Sequence, residues 1–142
     1  MNTDALQLSR PPVSREPGRR LRRGWGVVTA LLVGGVFVQA VLAGAILSGI
    51  DWARPAHGAL AALLVVAAVL AGLVALVTLR RTPNGAGLGL TLVALAVALA
   101  LQAVVGALAA KGANLLWVHV PLGVALLGFA AQAAAGVRKL GG

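Results

Sequence analysis

Four long stretches of apolar residues without a single Asp, Glu, Lys or Arg dominate this sequence. Each is longer than the roughly 20 residues that an α-helix needs to cross the hydrocarbon core of a bilayer. They cover residues 24–50, 55–79, 82–110 and 112–137. Continuous apolar runs pair their backbone groups in lipid as helices, whereas barrel strands alternate. The sequence therefore predicts an all-α integral membrane protein. Its spanning helices are expected at about 25–49, 57–79, 86–110 and 114–137.

Few residues lie outside these stretches, so we expect one membrane domain, at residues 24–139, and no separate soluble domain. Residues 1–23 are polar, rich in arginine and interrupted by prolines, and we predict that they form a disordered basic tail. Hydrophobic residues make up 60% of the sequence and charged residues 11%, which excludes an ordinary soluble domain. Cysteine is absent, which excludes disulfides and thiolate metal sites.

The basic residues are distributed unequally between the two ends of the predicted helices. Ten of the twelve Lys and Arg residues lie in the tail, after the second helix or after the fourth, and these positions share one side of the membrane. By the positive-inside rule this side is the cytoplasm, so both termini are predicted to be cytoplasmic. The preference for Arg over Lys and the abundance of Ala favour a bacterial plasma membrane. The net charge of +9 then serves topology and contact with the lipid bilayer, and we expect no nucleic-acid partner.

A short motif occurs twice and divides the predicted helices into two similar hairpins. Gln39 in the first helix and Gln102 in the third are each followed by Ala, Val, an apolar residue and two small residues. His57 lies 18 residues after Gln39, and His119 lies 17 residues after Gln102. Glutamine and histidine are rare in this sequence, so their shared spacing predicts an antiparallel four-helix bundle made of two repeated helical hairpins.

The residues able to carry chemistry inside the membrane are few. The predicted spans contain no ionisable carboxylate, which disfavours a proton-coupled transporter. No serine lies at a recognisable spacing from a histidine and a carboxylate, so an enzyme is not favoured. His57 and His119, the two histidines of the chain, remain, both near the extracytoplasmic side. Two imidazoles at similar depth on opposing helices can bind one heme iron from both sides, and we predict both as axial ligands.

Four further residues belong to this predicted site. Arg54 and Lys111 lie on the same side of the membrane as the histidines, and we predict that they contact heme propionates. Gln39 and Gln102 are predicted to form hydrogen bonds between helices. A second interpretation of the glutamines is that they contact the iron-binding imidazoles from behind.

Two segments carry a resemblance to a known family. Residues 44–57 read GAILSGIDWARPAH, and residues 119–123 read HVPLG. With the four-helix layout, they resemble one four-helix half of heme A synthase and small uncharacterised four-helix membrane proteins of actinobacteria, over roughly residues 25–137. The resemblance implies a heme held by His57 and His119. Heme A synthase also has a second bundle, a glutamate shortly before the first histidine and often a cysteine pair, which this sequence lacks, so its oxidation of heme is not implied.

These patterns lead to one preferred function and two alternatives. The preferred function is binding of one b-type heme by a small membrane protein, for electron transfer or heme handling, with a redox partner or another membrane protein. The first alternative is a structural or interaction protein without a cofactor, whose histidines serve packing or an interface. A small transporter is the less favoured second alternative. All three are compatible with a homo-oligomer.

Overall fold

Four α-helices make up the computed structural model, which describes residues 16–140 of the chain. They are α1 (Glu16–Leu47), α2 (Ala53–Thr78), α3 (Gly85–Ala110) and α4 (Leu116–Val137). Short turns join them, and the described segment contains no β-strand. The prediction of an all-α protein is therefore confirmed.

The outer surface of the bundle is apolar. Each helix is long and apolar enough to cross a membrane. Large side chains such as Leu31, Leu47 and Trp117 are at least 70% exposed, and many other apolar side chains face outward with them. In water, so large an apolar surface would cause association, whereas in a bilayer it meets lipid tails. The chain is a multi-pass membrane protein.

The helices form a closed ring of neighbours. α1 packs against α2, α2 against α3 and α3 against α4, and α4 returns to pack against α1. In the part of the chain that the structure describes, no Cα atoms of α1 and α3, or of α2 and α4, come within 8 Å of each other, so these two pairs lie diagonally. Consecutive helices are antiparallel, which confirms the predicted four-helix antiparallel bundle of two hairpins.

Glycines allow α2 and α3 to approach closely. A Cβ added at Gly72 of α2 would lie 3.0 Å from the backbone nitrogen of Val93. A Cβ added at Gly89 of α3 would lie 2.7 Å from a methyl carbon of Leu76. Helix association in lipid depends on such close packing, because lipid tails are as apolar as the side chains that they replace. This contact is the most extensive in the bundle.

Two helices begin earlier than the sequence predicted. α1 begins at Glu16, so residues 16–23, which were predicted to belong to a disordered tail, are helical. Arginine favours the helical state, and a long cationic side chain can extend into water while its stem covers apolar surface. α2 begins at Ala53 rather than at 57, which places His57 one turn inside the helix. The rest of the predicted tail, residues 1–15, lies outside the described residues.

Two hydrogen bonds hold the end of α4 at the end of the bundle where α1 begins. Arg22 of α1 donates from its guanidinium to the carbonyl oxygen of Leu140, at 3.3 Å. Asn84, in the turn between α2 and α3, donates from its amide nitrogen to the carbonyl oxygen of Lys139, at 2.8 Å. Leu140 is itself 1% exposed, within the core. The segment after α4 is therefore anchored to both α1 and the α2–α3 turn.

Candidate functional site

Each hairpin contains the same hydrogen bond between its two helices. Gln39 of α1 donates from Nε2 to the backbone oxygen of His57 in α2, at 3.0 Å. Gln102 of α3 donates from Nε2 to the backbone oxygen of His119 in α4, at 2.7 Å. A carbonyl oxygen has two lone pairs, so it can accept a side-chain donor besides its helical partner. The structure thus brings together the glutamine and histidine that the sequence repeat paired in each hairpin.

The two imidazole rings meet inside the bundle. The ring centroids of His57 and His119 are 6.3 Å apart, and the ring planes are inclined by 64°. The rings belong to α2 and α4, which lie diagonally, and no Cα atoms of these two helices come within 8 Å of each other in the described chain. Side chains from diagonal helices can approach each other only through the interior. Both histidines therefore point inward, at one level of the bundle.

Four buried polar atoms around these rings lack a hydrogen-bond partner. They are the Nδ1 atoms of both histidines and the Oε1 atoms of both glutamines, and they are the complete set of such side-chain atoms in the described residues. A buried polar atom without a partner costs about 1–3 kcal/mol. Each hairpin therefore holds one oxygen acceptor and one ring nitrogen whose bonding capacity is unused.

Two glycines in the second hairpin make space for these side chains. A Cβ added at Gly106 would lie 2.6 Å from Cε1 of His119. A Cβ added at Gly123 would lie 3.2 Å from Nε2 of Gln102. The first hairpin has alanine at the corresponding positions, Ala43 and Ala61. Gly106 and Gly123 lie four residues after Gln102 and His119, on the same helix faces, and this spacing is the sequence signal that points to them.

The two basic residues predicted at the site lie at its end of the bundle. Arg54 is in the first turn of α2, and Lys111 directly follows α3. Both side chains are exposed, and within residues 18–140 neither makes a side-chain hydrogen bond or an ion pair. Their contact with heme propionates stays a prediction.

The donor set of the site is a pair of imidazoles without a carboxylate or thiolate. In the described part of the chain, no three or more His, Cys, Asp or Glu residues cluster as metal ligands. Zinc normally takes three or four protein ligands, which this pair does not supply. A heme iron takes four nitrogens from its own macrocycle and needs only two axial ligands from the protein. The two imidazoles match this number of protein ligands.

Fold and site together describe a small four-helix membrane protein with paired interior histidines. Comparisons of the chain with protein-family models, with curated proteins and with solved structures find no match. The function must therefore be argued from the geometry of the site and from the chemistry of its residues.

Proposed function

We propose that the chain binds one b-type heme between His57 and His119, near the end of the bundle opposite the start of α1 and the end of α4. The observation that supports this proposal is the 6.3 Å separation of the ring centroids. An iron–nitrogen bond is about 2 Å long, and the centroid of an imidazole lies about 1 Å beyond its nitrogen. Two axial histidines of one heme are therefore expected to have centroids about 6 Å apart.

The unused polar atoms support the same proposal. An imidazole that binds metal through one nitrogen usually donates its other N–H to a nearby oxygen, which fixes the orientation of the ring. In each hairpin the glutamine Oε1 is an unused acceptor, and the histidine Nδ1 is an unused ring nitrogen. In this structure these two atoms do not bond to each other, and each glutamine contacts its histidine through the backbone oxygen. With heme bound, a rotation of the ring or of the amide would let Gln39 orient His57 and Gln102 orient His119. A heme held in this way supplies reversible one-electron chemistry, which suits electron transfer or heme handling.

A second candidate is a structural or interaction protein without a cofactor. It is favoured by the edge-on arrangement of the two rings, which links the diagonal helices α2 and α4. Aromatic contacts of this kind contribute about 0.5–1.5 kcal/mol beyond the area that they bury. The histidines would then stabilise the bundle by packing alone. The two candidates differ in whether the purified protein absorbs visible light.

An optical spectrum of protein expressed with ample heme tests the proposal. We expect a low-spin Soret band and sharp bands after reduction, because two imidazoles give iron a strong ligand field. His57→Ala and His119→Ala should each lose the low-spin spectrum, since one axial ligand is gone. Added imidazole should restore it in the single variants by occupying the vacated space. A colourless wild-type protein under these conditions would contradict heme binding.

Gln132→Ala serves as a matched control for these variants. Gln132 is an exposed polar residue of α4, more than three helical turns after His119. Its removal changes the same helix without touching the site, so the spectrum should remain that of the wild type. An equal spectral loss in Gln132→Ala would indicate that disturbance of α4, and not loss of a ligand, explains the histidine variants.

A further inference from the structure

A basic cleft lies between α1 and α4 at the opposite end of the bundle from the histidines. Its volume is about 410 Å³, within the range of small-molecule sites. The residues that matter for its chemistry are three arginines of α1, one arginine after α4 and two small residues of α1 that also line it: Arg19, Arg22, Arg23, Arg138, Gly26 and Thr29. Neither the histidine site nor the proposed heme uses any of them.

The cleft has a cationic rim and an apolar wall. Arg22 and Arg23 lie three and four residues after Arg19, so the three side chains share one face of α1. The apolar stretch of α1 begins directly after Arg23, and the wall of the cleft continues along it past Gly26. On α4 the wall is formed by alanine and valine, and Arg138 follows at the rim. The cleft therefore crosses the boundary between the charged end and the apolar body of the bundle.

Four arginines give the rim its positive charge, and Glu16 precedes Arg19 by three residues in the sequence. Within residues 18–140 the one acidic side chain is Asp51, in the α1–α2 turn at the far end of the bundle. Arg19 has interactions of its own, and Arg22 bonds to the carbonyl oxygen of Leu140. Arg23 and Arg138 are therefore the guanidinium groups that we assign to the ligand. Guanidinium groups bind phosphate through paired N–H donors, more specifically than an ammonium group can.

We propose that this cleft binds an anionic phospholipid, with the lipid phosphate among the arginines and an acyl chain along the groove between α1 and α4. The phosphate chemistry alone would also fit a free phosphate ion. The apolar wall favours the lipid, because it gives the ligand an apolar surface to cover just inside the charged rim. Basic pockets between membrane helices are known sites for anionic lipid headgroups.

The test is a lipid titration of the detergent-solubilised full chain, followed by native mass spectrometry. The probes are phosphatidylglycerol, phosphatidylcholine and inorganic phosphate. We expect retention of phosphatidylglycerol over phosphatidylcholine, and no displacement of the lipid by millimolar phosphate. Removal of one arginine near an anionic lipid costs about fivefold in affinity. The double variant Arg23→Gln, Arg138→Gln should therefore bind phosphatidylglycerol about twenty-five-fold more weakly.

Arg80→Gln, Arg81→Gln is the matched control. It removes two exposed arginines from the α2–α3 turn, which is at the same end of the bundle but outside the cleft. We expect it to retain phosphatidylglycerol as the wild type does. If both double variants lose affinity for phosphatidylglycerol equally, the loss comes from net charge alone, and this result would overturn the proposal. Equal retention of the two lipids would also overturn it, as would displacement of the lipid by phosphate. Arg22 is left unchanged because it anchors Leu140, so the variants keep the fold.

Discussion

His119 lies against the backbone of Gly106, and the absence of a side chain at that glycine decides where the ring can be. The Cβ of an alanine there would overlap Cε1 of His119, at 2.6 Å. The overlapping atom belongs to the far end of a side chain that can rotate, so the ring can move away without a shift of the helices. Gly106 therefore determines the position of the imidazole more than it determines the stability of the bundle.

Gly106→Ala should displace the His119 ring at little cost in stability. We expect a loss of less than about 1 kcal/mol in the free energy of unfolding, because a side chain and not the backbone gives way. The ring signals of selectively labelled His119 in an NMR spectrum should shift clearly. Gly87→Ala, in the same helix and with open space around it, should leave those signals unchanged. Unshifted His119 signals in Gly106→Ala would show that the ring does not depend on this glycine.

At the scale of helices, the closest approach is between α2 and α3. The neighbours of Gly72 include the backbone nitrogen of Val93 at 3.0 Å and the stiff, branched side chain of the same residue at 2.8 Å. Neither can rotate away as the His119 ring can. Any side chain at Gly72 must therefore push the two helices apart.

Gly72→Ala should destabilise the bundle by about 1–3 kcal/mol, the usual effect of overpacking a close contact. Unfolding in mixed detergent, followed by helical circular dichroism, measures this loss. Gly58→Ala, in the same helix, meets nothing within 4 Å and should be neutral or slightly stabilising. A neutral effect of Gly72→Ala would mean that α2 and α3 are not packed as closely as described.

The sequence predicts these helices well where they lie in lipid and less well where they leave it. The ends of α3 and α4 come within two residues of the predicted bounds, because apolar side chains stop where the membrane stops. The start of α1 at Glu16 was missed, since arginines can continue a helix into water and hydropathy does not detect this.

The site was predicted in part, for a similar reason. The repeat paired each glutamine with its histidine, and both hydrogen bonds are present. That the acceptor is a backbone oxygen could not be predicted, because it depends on the rotation of each helix about its axis. The contact of Gly106 with His119 depends on the same rotation. Arg54 and Lys111 are exposed, so packing does not fix the positions of their side chains. The sequence alone therefore does not place them against a ligand.

For the molecule as a whole, the predicted orientation stays a prediction that reporter fusions can test. Fusions after Arg81 and after Lys139 should report the cytoplasm, because the arginine clusters at this end oppose translocation. Fusions near Trp52 and near Gly112 should report the outside, since the bundle places these turns at the other end. A cytoplasmic signal from the turn near Trp52 would reverse the orientation and place the histidine pair toward the cytoplasm.

The even number of crossings in each hairpin has a consequence for how such a chain can arise. Each hairpin begins and ends at the same end of the bundle. A tandem duplication of the gene segment for one hairpin therefore yields a second hairpin that inserts the same way up, without any change in the distribution of arginines. A unit of one or three helices would be inverted when copied. The copied glutamine and histidine then lie at the same depth as the original pair. The two histidines, one from each hairpin, face each other across the axis that relates the two hairpins.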